Sequence, residues 1–238
     1  MKTFDEFLND LKLIKEKGYI KTHRSGNTGI GKTLEDLLGI EENNIPTPNC
    51  KTAELKSARK SASSMLTLFT KSPLPPRANS DLLQKYGYPS KRGNNRKELH
   101  TTVNALEFNQ LKGKIGFKID TSGDRINLIS VNNEILGYWD REMLKISFEK
   151  KLPALLYVKA ESKGSGENEE FWFNEVWFLS GFDFNNFIKL LKDGTIKVDI
   201  RIGQYPDGRT HDHGTGFRVF PDKLELCFSS RDRLIGTS

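Results

Sequence analysis

The stretch that decides the fold is Thr52-Ala53-Glu54-Leu55-Lys56, which has the pattern of an extended strand. Side chains alternate between the faces of a strand, so Glu54 and Lys56 share one face while Ala53 and Leu55 share the other. A carboxylate and an ammonium on one face can together hold a divalent cation and stabilise the charge that develops on a phosphate. The stretch therefore predicts a strand that carries a candidate catalytic pair.

The Glu-x-Lys pattern is weak on its own, because the chain contains it three times. Glu149-Lys150-Lys151 falls at the end of a predicted helix and is set aside. Glu161-Ser162-Lys163 follows the apolar run 152–160, where a solvated charge pair at a strand end is the commoner outcome. The first pair is favoured because basic residues crowd its segment: Lys51, Lys56, Arg59, Lys60, Lys71, Arg77, Lys85, Lys91, Arg92, Arg96 and Lys97. This charge and chemistry indicate a metal-dependent nuclease.

The composition sets the class of protein. A chain of 238 residues with 29% charged and 10% aromatic residues can form one large globular domain or two lobes. Its net charge of +6 predicts a polyanionic partner such as nucleic acid. Two distant cysteines, Cys50 and Cys227, and the absence of a long apolar segment or signal-peptide core predict a reduced, cytoplasmic protein that does not enter a membrane.

Hydrophobic periodicity predicts an α+β protein with the candidate pair on a central mixed β-sheet. The pattern predicts helices at 3–17, 33–38, 80–86, 141–149 and 184–191, with Thr33 and Asp36 as a capping box. It predicts strands at 51–57, 65–70, 115–120, 125–131, 134–139, 153–161, 170–178, 195–202 and 215–220, and a polar loop at 88–98.

The segment from Gly26 to Thr33 matches the phosphate-loop pattern G-x-x-x-x-G-K-T at every position. A nucleotide site also needs a buried apolar strand before the loop, but residues 21–25 are polar and basic. The favoured interpretation is a tight glycine turn at the entry to a helix, whose amides could face a DNA phosphate. An NTP site stays open as the lesser alternative.

Two further residues bear on the predicted metal site. Glu35 lies on the helix that follows the glycine turn and could supply a second carboxylate. Asn49 occupies the position where an acidic ligand is expected, five residues before Glu54. Its neutral carbonyl oxygen binds Mg²⁺ much less well than a carboxylate does.

Near the C-terminus, Asp199 and Arg201 share one face of an alternating strand, and the polar segment 210–218 follows. A surface ion pair and a polar loop are the plain interpretations. A zinc site is poorly supported, because His211 and His213 have no third His or Cys nearby. Base reading fits better, since arginine matches the O6 and N7 atoms of guanine and aspartate accepts from the cytosine amino group.

These blocks occur together in an order that resembles the MvaI/BcnI family of restriction endonucleases, and its MvaI branch more than its BcnI branch. The blocks are 26–38, Glu54-Leu55-Lys56, 66–73, 197–203 and 210–218. The resemblance spans roughly residues 18–220 and is much weaker over 88–150.

The resemblance implies a PD-(D/E)xK nuclease fold over residues 1–238, with a catalytic lobe mainly around 1–105 and a DNA-recognition lobe mainly around 195–220. It implies a monomer that clasps double-stranded DNA between these lobes and uses Mg²⁺. Such an enzyme nicks the two strands of a CCNGG-type site in turn, CCWGG for the MvaI branch, and leaves 5′-phosphates. A cognate cytosine methyltransferase would share its restriction–modification system.

The resemblance also assigns roles to single residues. Glu54 and the residue at position 49 would bind the metal, Lys56 would orient the attacking water, and Glu35 would be an accessory acid. Base edges in the major groove would be read by Asp199, Arg201, His211, Asp212, His213 and Arg218.

Asn49 departs from the family pattern, which has a metal-binding aspartate there. Either the residue was introduced to inactivate the enzyme, or the natural protein has Asn and a lower metal affinity. Asn49 leaves open a site-specific DNA-binding protein without useful cleavage. The alternative enzyme is a related mismatch-repair endonuclease that nicks one strand.

Overall fold

The structure is a computed structural model that describes residues 3–40, 53–91, 93, 96–152 and 154–236. In these ranges the helices are α1 (Phe4–Glu16), α2 (Gly29–Leu37), α3 (Ala78–Tyr86), α4 (Arg141–Lys151), α5 (Phe184–Lys192) and α6 (Leu224–Cys227). Short 3₁₀ helices cover Gly166–Asn168 and Pro221–Lys223. No helix in the described ranges is long and apolar enough to cross a membrane.

The strands of the N-terminal half are β1 (Ile20–Lys21), β2 (Glu54–Arg59), β3 (Leu66–Thr70), β4 (Tyr88–Pro89), β5 (Lys97–Val103), β6 (Gln110–Leu111), β7 (Lys114–Ile115) and β8 (Phe117–Asp120). Those that follow are β9 (Arg125–Ser130), β10 (Ile135–Asp140), β11 (Ala154–Lys163), β12 (Glu170–Ser180), β13 (Lys197–Gln204), β14 (Thr210–Asp212), β15 (Gly216–Val219) and β16 (Ser230–Ile235). The α+β class predicted from the sequence is confirmed.

Helix α1 illustrates how local sequence sets an element. The Thr3 side chain accepts a hydrogen bond from the Glu6 backbone N–H, and the Glu6 carboxylate accepts from the Thr3 backbone, so a capping box begins the helix. Phe7, Leu11 and Ile14 recur at helical spacing and are buried. The helix predicted at 3–17 is therefore confirmed within one residue at either end.

The contacts between residues divide the chain into two units. Unit 1 comprises residues 1–64, 150–182 and 224–238, and unit 2 comprises 65–149 and 183–223. Residues 65–105 thus belong to unit 2, whereas the sequence assigns them mainly to a catalytic lobe. Which unit performs which role stays a prediction.

Unit 1 is built on a five-stranded mixed sheet. Its order is β1-β12-β11-β2, with β16 also paired to β12, and β2 lies parallel to β11 while the other pairs are antiparallel. Helices α1 and α2 share a hydrophobic core with one face of this sheet, which includes Leu34, Leu55, Leu156 and Val158. The opposite face of β2 is left to carry polar side chains.

Unit 2 is built on a six-stranded sheet of order β3-β15-β13-β5-β4, with β14 also paired to β13, and on the three-stranded sheet β10-β9-β8. Its core contains an aromatic cluster in which Phe69 stacks on Phe217 at 4.8 Å and Phe187 contacts both rings. Strand β13 is central to the larger sheet, so its side chains have neighbours on both sides.

Some predicted elements need correction. Helix α2 begins at Gly29, four residues before its predicted start, so the capping box of Thr33 and Asp36 is wrong. Thr33 lies inside the helix, and its hydroxyl donates to the Gly29 carbonyl at 2.8 Å. Strand β5, which begins inside the predicted loop 88–98, and strand β16 were not predicted.

Candidate functional site

Glu54 and Lys56 are the first and third residues of β2, so their side chains share one face of the strand, as the alternation predicts. Glu54 is only 4% exposed, whereas Lys56 is half-buried. Leu55, between them, points into the core cluster on the other face. The burial of Leu55 fixes the register of the strand and thereby the direction of both charged side chains.

Glu54 uses its two carboxylate oxygens differently. Oε1 lies 3.1 Å from the Lys56 Nζ and 3.6 Å from the Lys151 Nζ, so the ionised form has two cationic neighbours. Oε2 is buried and has no hydrogen-bond partner within the described part of the chain. Because an unpaired buried carboxylate oxygen is costly, the arrangement suits an oxygen that binds a cation.

Lys151 is a site neighbour that the sequence did not reveal. Its Glu-x-Lys pattern at 149–151 was set aside as a helix end, and it does lie at the end of α4. The contact with Glu54 joins residues almost a hundred positions apart, so no local pattern could indicate it. Lys151 of that pattern contacts Glu54, whereas Glu149 pairs with Lys145 at 3.9 Å within the same helix.

The other two predicted metal-site residues have different outcomes. Glu35 is half-buried on α2, one turn after Gly31, where an added β-carbon would lie 3.9 Å from the Ser57 hydroxyl of β2. Its helix therefore runs close to β2, but its role at the metal stays a prediction. Asn49 lies outside the described residues. Within those residues, no three His, Cys, Asp or Glu side chains converge as a metal-binding group.

The phosphate-loop lookalike forms the N-terminus of α2. The only strand that precedes it within the described residues is the two-residue β1, so the buried strand of a nucleotide site is missing there. Lys32 pairs with Asp36 at 2.7 Å, and His23 Nδ1 lies 2.9 Å from the same carboxylate. The Lys32 ammonium, and then His23, hold the pKa of Asp36 below its ordinary value. Lys32 is thus committed to its own helix.

In unit 2, Asp199 connects the two predicted reading arginines. Asp199 is 6% exposed, and its Oδ2 accepts from the Arg218 Nη1 at 2.7 Å and lies 3.3 Å from the Arg201 Nε. Its Oδ1 accepts from the Thr102 hydroxyl at 2.9 Å. Arg218 also donates to the Met65 carbonyl. The carboxylate therefore fixes both guanidinium groups, with Arg201 the more exposed of the two.

The predicted reading residues 211–213 form a second cluster. The rings of His211 and His213 lie 4.0 Å apart, and the His213 backbone N–H donates to the Arg201 carbonyl at 3.0 Å. Asp212 points elsewhere: its Oδ2 accepts from the Ser72 hydroxyl and the Asn79 amide, both at 2.6 Å. Its Oδ1 accepts from the Gly214 backbone N–H at 2.8 Å. The structure thus joins the histidines to Arg201 and ties Asp212 to α3.

A third histidine, His100, was missed by the sequence analysis. It lies on β5 opposite Arg201 in the antiparallel register, with its ring 6.4 Å from that of His213. These three histidines line a small cavity together with Ser90, Arg96, Lys97, Glu98, Gly203 and Gln204. No local sequence pattern indicates the role of this histidine, because His100 reaches the cavity only through the pairing of β5 with β13.

Comparison with known proteins identifies the family to which the chain belongs. The model of the MvaI/BcnI restriction endonuclease family matches residues 8–228. This chain is a member of the MvaI/BcnI restriction endonuclease family. The resemblance inferred from the sequence is thereby confirmed over nearly the whole chain.

Solved structures of this family agree. The chain is 32% identical to restriction endonuclease MvaI in its complex with cognate DNA, with a TM-score of 0.86, covering 99% of this chain and 100% of that one. MvaI in the absence of DNA matches at 32% identity and a TM-score of 0.57, covering 99% and 98%. No curated protein matches the chain significantly.

Family membership makes the chain a type II site-specific deoxyribonuclease. It also weakens the support for an NTP site, because the glycine-rich turn at 26–33 lies within the region that matches a DNA-cutting family. Restriction endonucleases generally use divalent metal ions, and the buried, unpaired Glu54 oxygen fits such an ion.

Proposed function

We propose that this member of the MvaI/BcnI family is a Mg²⁺-dependent endonuclease that cuts double-stranded DNA at CCNGG-type sites, with CCWGG favoured. It acts as a monomer, nicks the strands in turn and leaves 5′-phosphate ends, beside a cytosine methyltransferase that protects host DNA. The observation that carries the proposal is the Glu54–Lys56 pair, with one Glu54 oxygen buried and unpaired.

The proposed chemistry assigns one task to each residue of the Glu54 cluster. Glu54 would hold the cation, the residue at position 49 would be a further metal ligand, and Glu35 would be an accessory acid. When bound, Mg²⁺ neutralises the phosphate and lowers the pKa of water. Lys56 orients the attacking water and stabilises the negative charge that develops on phosphate oxygens. Lys151 supplies a second ammonium near the same carboxylate.

Base reading is proposed for the polar clusters of unit 2. Arg201 and Arg218 suit the O6 and N7 acceptors of guanine, and the Asp199 ion pairs support this by holding both side chains in place. Asp199 and Asp212 each have three polar neighbours, while an ionised carboxylate offers about four acceptor positions. Each aspartate could therefore still accept from one cytosine amino group. His211 and His213 complete the proposed reading set.

The direct test is digestion of a sequenced plasmid by this protein and by its Asn49→Asp variant, in Mg²⁺ and in Mn²⁺, with the ends mapped. Discrete cuts at CCNGG-type sites by the variant alone would support the proposal and identify Asn49 as a disabling residue. Cuts by both proteins would mean that Asn49 is tolerated. An uncut plasmid in every reaction would contradict the proposed site and metal.

Asn49 favours a second candidate function, a site-specific DNA-binding protein with little cleavage. Loss of one carboxylate ligand lowers the rate by about 10²-fold or more. This candidate predicts salt-dependent binding to a CCNGG duplex without cleavage by the protein as it stands. A nicking endonuclease of the mismatch-repair type would instead cut one strand only, which the end mapping distinguishes.

A further inference from the structure

Tyr157 has a hydroxyl group that no interaction in the described structure explains. It lies on β11, is only 4% exposed, and its phenol oxygen is buried without a hydrogen-bond partner among the described residues. A buried hydroxyl in that state costs stability, and phenylalanine would fill the same space without the cost. A tyrosine at this position therefore needs a reason beyond packing.

The sheet register places Tyr157 beside the candidate catalytic pair. In the parallel pairing of β2 with β11, Leu155 is the partner of Glu54 and Tyr157 is the partner of Lys56. Paired residues point to the same face, so Tyr157, Lys56 and Glu54 all project from the face opposite the core residues Leu156 and Val158. Neighbouring parallel strands lie about 4.8 Å apart, which is close enough for their long side chains to meet.

Two buried polar atoms without protein partners thus occupy one face of two adjacent strands: the Tyr157 hydroxyl and Glu54 Oε2. The carboxylate oxygen can bind a cation, and the hydroxyl can exchange hydrogen bonds with water. Mg²⁺ and Mn²⁺ keep several of their waters when proteins bind them through one or two carboxylates. A hydrated cation held by Glu54 would therefore bring water molecules, which a hydroxyl group on the same face can bind.

The phenol is suited to this task because it stays neutral. Burial, and then the nearby negative charge of Glu175, raise the pKa of Tyr157 to about 12. Its hydroxyl thus keeps both a proton to donate and lone pairs to accept throughout the working range of an enzyme. Glu175 itself is occupied by Lys159 at 3.2 Å and by the Trp177 indole N–H at 2.7 Å.

We infer that Tyr157 is a positioning residue of the metal site, whose hydroxyl hydrogen-bonds a water molecule carried by the cation that Glu54 holds. This inference rests on the proposed function, because it assumes that Glu54 binds a divalent cation. Groups that hold metal-bound water or ligands through hydrogen bonds affect metal affinity by about 10- to 100-fold in known sites. The ligand class is a hydrated divalent cation, for which Mn²⁺ serves as the probe.

The test measures Mn²⁺ binding by electron paramagnetic resonance in the full-length Asn49→Asp protein, without DNA and without turnover. Tyr157→Phe removes only the hydroxyl and is expected to weaken Mn²⁺ binding by about tenfold. Its melting temperature in metal-free buffer is expected to stay equal or rise, because an unpaired buried hydroxyl is gone. The matched control is Tyr19→Phe, which removes an exposed hydroxyl 3.4 Å from Glu161 in the same unit.

The outcomes separate this inference from the proposed function. Glu54→Gln should abolish Mn²⁺ binding at this site; if it does not, the proposed metal site is wrong and the inference falls with it. If Glu54→Gln abolishes binding but Tyr157→Phe leaves the affinity within twofold of the parent, only the role of Tyr157 is overturned. Equal weakening by Tyr19→Phe and Tyr157→Phe would also overturn it.

Discussion

Glu54 in unit 1 keeps one buried oxygen without a described partner, whereas Asp199 and Asp212 in unit 2 each have three polar neighbours within 3.3 Å. All three are acidic side chains that project from a β-strand. The proposed roles account for this difference, because a carboxylate that binds an ion needs an oxygen that is not used within the protein. Asp199 instead uses its oxygens to hold Arg201 and Arg218, and Asp212 uses its oxygens to hold Ser72, Asn79 and the Gly214 backbone. Such contacts order the proposed reading surface before DNA binds.

The strongest way to break this comparison is to neutralise Glu54. In the Asn49→Asp protein, Glu54→Gln is expected to lower the single-turnover cleavage rate by about 10³-fold, because the cation loses a charged ligand. Binding to a CCWGG duplex in Ca²⁺ should change little, since the residues proposed to read bases lie in unit 2. Cleavage retained within tenfold would show that Glu54 does not hold the ion.

Asp199→Asn tests the second half of the comparison, the proposed alignment of Arg201 and Arg218 by Asp199. It leaves the guanidinium groups of Arg201 and Arg218 near a neutral amide, and breaking a buried pair is expected to lower the free energy of unfolding by about 2–4 kcal/mol. Urea denaturation measures this, and duplex competition should show poorer discrimination of CCWGG from single mismatches. The control is Asp207→Asn, which removes an exposed pair with Arg209 and should have no measurable effect. Equal stability of both variants would contradict the aligning role.

Lys151→Ala sharpens the account of Glu54. The second ammonium lies 3.6 Å from Glu54 Oε1, so its loss is expected to lower the cleavage rate of the Asn49→Asp protein by about tenfold. Lys150→Ala removes the preceding, exposed lysine of the same helix and controls for the loss of general charge toward DNA. Equal effects of the two variants would assign Lys151 to electrostatic attraction alone.

The smallest expected effect concerns an exposed cluster that belongs to neither site. The pKa of Asp36 is lowered by Lys32 and His23 in the folded protein, so the unfolded chain binds more protons as the pH falls. The stabilisation is present above the ordinary pKa of 3.8 and is lost as the pH falls through the lower pKa of the folded state. Asp36→Asn should cost about 0.5 kcal/mol at pH 7, and this difference should shrink below pH 4. Urea denaturation at pH 7, 5 and 3 checks it, and a constant difference would exclude the ionised pair as its cause.

The sequence predicted best where local patterns decide structure. Alternation across Glu54, Leu55 and Lys56 gave the right strand and the right faces, and helical spacing gave α1 and α5. The predicted capping box failed, because Thr33 bonds back to Gly29 within a helix that starts earlier. The helix instead begins at Gly29, within the glycine-rich segment 26–33.

Tertiary contacts were beyond the reach of sequence patterns. Lys151 reaches Glu54 because β2 and β11 are parallel neighbours, a pairing that no local signal encodes. His100 reaches Arg201 in the same way through the pairing of β5 with β13. The contacts that orient Asp199 and Asp212 could not be predicted either, because Thr102, Ser72 and Asn79 are distant in the sequence and approach the aspartates only in the folded protein.

Strand β2 lies at an edge of the unit 1 sheet and, among the described strands, pairs with β11 alone. Such an edge exposes backbone groups that could recruit a strand from another copy and start aggregation. Its six residues include Lys56 and Arg59, and Lys60 follows directly. Positive charges on an edge strand oppose pairing with an identical edge. Lys56, which belongs to the candidate active site, therefore also helps to keep the copies apart.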